Sequence, residues 1–173
     1  GNAIYGDGGG IGIASDSTLF TGTTTVTNNS ASNNNYGYGI LFASAENAVI
    51  SGNTASNNQY SYGMLLASIG SGTISDNVLN SNVYGLYIGG SHNLAITDNE
   101  MNYNTFGFNL NNAYDSTISN NVIENSADTG LMLQDSTSNI AVNSNRMCDS
   151  TYYDILDGDS NSGNNNTCDT HAN

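Results

Sequence analysis

A column of asparagines constrains this chain more than any other feature. Asn29, Asn53, Asn77, Asn99, Asn121 and Asn145 follow one another at steps of 24, 24, 22, 22 and 24 residues. Three positions before each stands a β-branched residue: Val26, Ile50, Ile74, Ile96, Ile118 and Val142. Two positions after each stands an apolar or small one: Ala31, Ala55, Leu79, Met101, Ile123 and Met147. A glycine recurs in the same register at Gly39, Gly63, Gly85, Gly107 and Gly130. Columns that stay aligned over six copies mean that the chain folds as a stack of equivalent units.

The local rhythm inside each unit is two, as in Leu86-Tyr87-Ile88 and Leu131-Met132-Leu133. Alternation of that kind belongs to extended strands, whereas a helical repeat needs a 3.6-residue rhythm. Asn, Gly, Ser and Asp between the strands favour turns and left-handed backbone angles. A leucine-rich repeat has a similar period, but its leucine-dense consensus is missing. Each unit of 22–24 residues therefore reads as one turn of a parallel β-helix, an all-β solenoid of about six to seven coils. Like residues then lie about 4.8 Å apart on successive coils, and the rod is roughly 30 Å long. Apolar columns merge into one core, and stacked asparagines bond amide to amide and to the turn backbone. The chain has no proline, which suits coils that must all donate backbone hydrogen bonds to their neighbours. Residues 1–173 form one domain, with a looser first coil over 1–34, regular coils over 35–150 and an irregular C-terminal coil over 151–173.

Charge narrows the partners. There is no Lys, one Arg (Arg146) and 15 acidic residues, for a formal net charge of -14. Such a surface repels phosphate backbones and anionic lipid, so nucleic acid is excluded as a partner. No apolar run reaches the roughly 18 residues that insertion into a membrane requires. Glycosylation sequons at Asn28 and Asn165, and a lone pair of cysteines, point to an extracellular or cell-surface location.

The repeated string Tyr-Gly-apolar, then Ile-Ser/Thr-x-Asn-x-apolar-x-Asn, resembles the right-handed parallel β-helix repeats of the pectin-lyase-like superfamily. It is most similar to the Asn-rich version in NosD-like and carbohydrate-associated surface proteins, over roughly residues 10–168. Enzymes, adhesins and structural proteins share that fold. Lyases and hydrolases among them imply acids clustered with Arg, Lys or His. This chain offers only Arg146, His92 in a Gly-Gly-Ser-His-Asn turn and His171 near the end. With no Lys, no obvious group stabilises a developing oxyanion. No catalytic residue and no cofactor is assigned, calcium being the one candidate ion.

Other groups have a structural and a functional reading. Asp76 and Asp98 occupy one slot on adjacent coils, where they shape a turn or share a cation. Asp157-Gly158-Asp159-Ser160-Asn161 places oxygens as a calcium loop begins, with Asp157, Asp159 and Asn161 as ligands. Its glycine comes one residue late and no acid fills position 12, so an acidic end-turn is the competing reading. Cys148 and Cys168 fall at nearly equivalent slots of the last two coils. A bridge there closes about 20 residues and stabilises the end by roughly 3 kcal/mol, unless the pair cross-links subunits. Tyr36, Tyr38, Tyr60, Tyr62 and Tyr84, with Phe106, form rows that pack on one another or bind sugar rings.

Together these features point first to a non-catalytic extracellular structural protein, not an enzyme. Such a protein is a self-associating subunit of a surface layer, sheath or filament. A carbohydrate-binding module or adhesin with a cell-surface glycan as partner is the alternative, and a polysaccharide lyase or hydrolase ranks behind both.

Overall fold

A computed structural model of the chain describes residues 3–6, 9–14, 22–134, 136–158 and 161–168. His171 and Asp159 lie outside the described residues. Among the described residues all regular structure is strand: β1 (Ala3–Gly6), β2 (Ile11–Ala14), β3 (Thr23–Thr27), β4 (Ser30–Asn34), β5 (Ile40–Ser51), β6 (Tyr62–Ser75), β7 (Tyr84–Gly89), β8 (Leu94–Thr97), β9 (Phe106–Asn111), β10 (Tyr114–Ser119), β11 (Val122–Glu124), β12 (Thr129–Gln134), β13 (Ser138–Asn143), β14 (Arg146–Cys148), β15 (Tyr153–Asp157) and β16 (Ser162–Asn164).

Every strand pair is parallel, and each coil visits three faces in turn. The first face stacks β2, the front of β5, the front of β6, then β7, β9, β12 and β15. The second stacks β3, the back halves of β5 and β6, then β8, β10, β13 and β16. The third is narrower. It joins β1 to β4 and β11 to β14, with single bridges at Ser30–Thr54–Val78–Glu100–Val122 between them. The solenoid expected from the repeat is present, with Ile50, Ile74, Ile96, Ile118 and Val142 in one register. The first four of these are fully buried, as are Ile40, Met64, Leu66, Leu86, Ile88 and Leu110. Full burial of such a side chain is worth about 1.5–3 kcal/mol.

The turn residues explain the composition. Asn28, Gly52, Asp76, Asp98, Asn120, Ser144 and Asn165 share one slot between the second and third faces, all at φ between 54° and 66°. Asn and Asp tolerate that left-handed angle and β-branched residues do not. Asp76 and Asp98 thus stand on adjacent coils, in a slot whose first demand is conformational.

The next residue in each coil forms the ladder. Asn77 Nδ2 donates to Asn99 Oδ1 at 2.8 Å and to the Ile50 carbonyl at 3.1 Å, and Asn77 N donates to the same Asn99 oxygen at 3.1 Å. Asn53, Asn99, Asn121 and Asn145 repeat this arrangement. A second ladder, Asn34–Asn58–Asn82–Asn104, runs between the third and first faces. The glycine column exists to admit it. A Cβ on Gly63 would sit 2.6 Å from Asn82 Nδ2, and one on Gly85 2.6 Å from Asn104 Nδ2. Ser126 and Ser150 continue this column, and at the change of side chain Asn104 Nδ2 and Ser126 Oγ are left without a partner among the described residues.

Candidate functional site

The outer surface of the first face is where the solenoid departs from a plain polar rod. Three columns point outward from it. Tyr38, Tyr62, Tyr84 and Phe106 form one, Leu41, Leu65, Tyr87, Asn109 and Met132 the next, and Ala43, Ala67, Gly89, Asn111 and Gln134 the third. None of these side chains carries a formal charge at neutral pH.

The aromatic column is a stack of rings. Centroids are 5.6 Å apart for Tyr38–Tyr62, 4.8 Å for Tyr62–Tyr84 and 4.9 Å for Tyr84–Phe106, with planes within 26° of one another. Rings piled along the axis cover one another's faces and turn their edges outward. Tyr87 does the opposite. It stands at 77° to Tyr62 and 85° to Tyr84. Its Cε1 lies 3.2 Å from the point where a Cβ on Gly89 would be, so the ring runs along the strand over that glycine. A ring that is perpendicular to the ladder and laid along the strand is parallel to the sheet. Tyr87 therefore offers a flat aromatic surface, the geometry on which a pyranose ring stacks. Burial raises the Tyr62 hydroxyl above the ordinary tyrosine range, with the Tyr84, Tyr87 and Tyr38 phenols adding to it, which keeps the patch neutral. Tyr36 and Tyr60 stack separately at 5.7 Å on the preceding turn and are 77% and 69% exposed.

At the far edge the chain bends through Gly90 (φ 57°) and buried Ser91, whose hydroxyl donates to the Gly89 carbonyl and accepts from Ile69 N. The bend presents His92. Its imidazole stacks on Tyr114 at 4.8 Å, and its Nδ1 lies 2.8 Å from Asn93 Nδ2. An amide donating to Nδ1 leaves the proton on Nε2 in the neutral ring. The rung on the other side of His92 is Gly70, which has no side chain, and the rung beyond it is Glu46. The backbones of His92 and Glu46 therefore stand two rungs apart, about 9.6 Å, on either side of a glycine. His92, in the turn that the sequence marks, is half-buried and ring-stacked. Glu46 was missed, because nothing in a run of one coil marks it as a neighbour of the next but one.

The other sequence candidates lie elsewhere. Asp157 lies in register with Leu133 and accepts from Asn161 Nδ2 at 2.8 Å. Leu133, Val142, Ile155 and Gly163 line a cavity of about 220 Å³ with them. Among the described residues no three His, Cys, Asp or Glu side chains converge as metal ligands would. Asn28 and Asn165 are exposed in the left-handed slot. Cys168 is exposed at the rung of Met147, one residue out of step with buried Cys148, whose Sγ lies 3.4 Å from the Thr167 carbonyl.

Residues 1–94 and 39–173 match the family described as the right-handed β-helix region. The chain belongs to that right-handed β-helix family. No curated protein matches the sequence of this β-helix. Among solved structures, it resembles a mutant of the periplasmic alginate epimerase AlgG (TM-score 0.74, 14% identity, covering 83% of this chain and 39% of that one). It resembles the A-module of the mannuronan C-5 epimerase AlgE6 from Azotobacter vinelandii (TM-score 0.74, 16% identity, covering 99% and 51%). The A-module of AlgE4 from the same organism is a third likeness (TM-score 0.56, 17% identity, covering 85% and 49%). The chain thus spans about half or less of each neighbour's length, and at these identities the likeness is one of fold.

These neighbours are polysaccharide-modifying enzymes, which corrects the expectation of a non-catalytic, self-assembling structural subunit and, with it, the reading that the chain is not an enzyme. The physical reason is that a regular repeat with few charges does not by itself make a passive architecture. The same solenoid carries chemistry in those neighbours, and the repeat describes only the scaffold. One neighbour is periplasmic by its description, and no helix among the described residues is long and apolar enough to cross a membrane.

Proposed function

We propose that this β-helix is the glycan-holding module of a polysaccharide-modifying enzyme that works outside the cytoplasm, at the cell surface or beyond. The observation that carries the reading is the uncharged outer face of the first sheet, with Tyr87 laid flat beside a row of tyrosine edges. Its fold likeness to alginate epimerases adds support. A glycan chain lies across the first face, with a ring on Tyr87 and hydroxyls meeting the phenols of Tyr62 and Tyr84. Stacked aromatic contacts are worth about 0.5–1.5 kcal/mol beyond the area they bury. Past Gly89 the chain reaches the column of His92 and Glu46. His92 is the group that gives or takes the proton, and Asn93 and Tyr114 hold its ring in place. Glu46, two rungs from His92 in the same column, supplies a carboxylate as the second acid–base group.

The test is incubation of the protein with polymannuronate, its methyl ester and neutral glucans, with NMR of the products. Turnover that disappears in His92→Ala and Glu46→Gln, while binding remains, supports the assignment. The reading fails if none of these polymers is bound or altered.

A further inference from the structure

The charge and hydrogen-bonding character of the first face go further and name a class of glycan. We infer that the sugar chain taken by this face is uncharged, with Tyr87 as the platform for one ring. The inference rests on the glycan-holding reading above and deepens it.

An anionic glycan needs cations at its binding surface. The chain has no Lys, and its single Arg, Arg146, sits on the third face in an ion pair with Glu124. With a net charge of -14, the field around the molecule opposes a polyanion at long range. At contact, a carboxylate laid on Tyr87, Leu65 and Leu41 loses water and meets no cation, only the neutral phenols of Tyr62 and Tyr84, so its charge stays uncompensated. A neutral pyranose meets neither obstacle. Its C–H face suits an aromatic ring, and its hydroxyls can both donate and accept.

A second observation, independent of net charge, points the same way. Asn109 stands next to Tyr87 in the outward column and is only 3% exposed. Its Nδ2 donates to Gln134 Oε1 at 3.2 Å, while its Oδ1 has no partner among the described residues. That oxygen is an acceptor beside the ring platform. A sugar hydroxyl that reaches it can donate to it. A carboxylate has no proton to donate and would repel it.

The experiment uses three probes on the purified protein: oligomannuronate, the same oligomer methyl-esterified, and a neutral manno-oligosaccharide. Each is titrated calorimetrically at low and high salt. The expected result is binding of one or both uncharged probes, at least about tenfold tighter than the free acid, a gap of about 1.4 kcal/mol. Raising the salt leaves the uncharged affinity unchanged and narrows the gap by screening. Tyr87→Ala abolishes binding, Tyr87→Phe retains it, and both keep the wild-type circular dichroism spectrum. If the free acid binds as tightly as its ester in a Tyr87-dependent way, the inference is overturned and the glycan-holding reading stands. Tyr87-independent binding of an uncharged probe also overturns it, because the site is then elsewhere. If neither these probes nor the neutral glucans bind, the reading and the inference fall together.

Discussion

Removing one amide from the middle of the first ladder tests the account most directly. Asn99 makes five side-chain hydrogen bonds. Nδ2 donates to Asn121 Oδ1, the Ile74 carbonyl and the Thr97 carbonyl, each at 2.9 Å, and Oδ1 accepts from Asn77 Nδ2 at 2.8 Å and Asn77 N at 3.1 Å. In Asn99→Ala several of these partners keep another bond. Asn77 Nδ2 still reaches the Ile50 carbonyl, Asn121 Oδ1 still accepts from Asn99 N, and the Thr97 carbonyl from Asp76 N. Asn77 N loses its side-chain acceptor while fully buried. An orphaned buried donor costs about 1–3 kcal/mol and each other lost bond about 1 kcal/mol or less, for about 3–5 kcal/mol in total. That is a large part of the 5–15 kcal/mol by which domains are commonly stable. Urea denaturation followed by circular dichroism should show a midpoint lower by roughly 1–2 M. The control is Asn120→Gly, in the turn slot one residue before Asn121 on the next coil, exposed at φ 57°, which glycine accepts without strain. A loss in Asn99→Ala below about 1 kcal/mol, or no larger than in the control, would refute the claim that the ladder holds this turn.

Four more outcomes follow from the same geometry. Ser126→Asn extends the second ladder by one rung, gives Asn104 Nδ2 an acceptor, and should raise stability by about 1 kcal/mol in the same denaturation assay. Gly85→Ala places a methyl 2.6 Å from both Asn104 Nδ2 and the Gly107 carbonyl, and should cost about 1–3 kcal/mol. Ile74→Ala empties a fully buried rung of the core and should cost about 2–5 kcal/mol, read as a fall in melting temperature. The fourth concerns pH. Burial raises the Tyr62 pKa, so its neutral form is favoured in the folded state. The folded chain then holds a proton that the unfolded chain releases, and the associated stability is whole below the ordinary tyrosine pKa of about 10 and lost as pH rises above it. Tyr62→Phe should flatten that alkaline decline in a stability-versus-pH series.

The legible parts of the structure were those whose columns kept one residue type. The Asn29–Asn145 ladder and the Ile50–Val142 core column recur without interruption, so register could be read directly. The second ladder was not legible, because asparagine is common in this chain and the column changes to Ser126 and Ser150. The glycine column was visible as spacing, while its cause, room for that second ladder, was not. Of the functional surface, the tyrosine row could be seen, but as a group at one bend. The structure divides it between a turn (Tyr36, Tyr60) and the first face (Tyr38, Tyr62, Tyr84). Tyr87 could not be singled out, since in the sequence it is the middle of an apolar triplet. The cysteines fall at nearly equivalent slots in the sequence, and the one-residue offset between them is a difference that strand alternation makes large.

The sequence by itself determined the stack: a coil of 22–24 residues, an apolar core, an asparagine at one corner and turn slots open to left-handed residues. It could do so because like side chains lie over like, so each requirement is written once per coil in the same place. Only the tertiary structure decided which way Tyr87 lies, that Asn109 keeps a buried acceptor beside it, and that His92 and Glu46 stand in one column across Gly70. Those relations run between coils and depend on how each coil closes around its three faces, and no single repeat carries them.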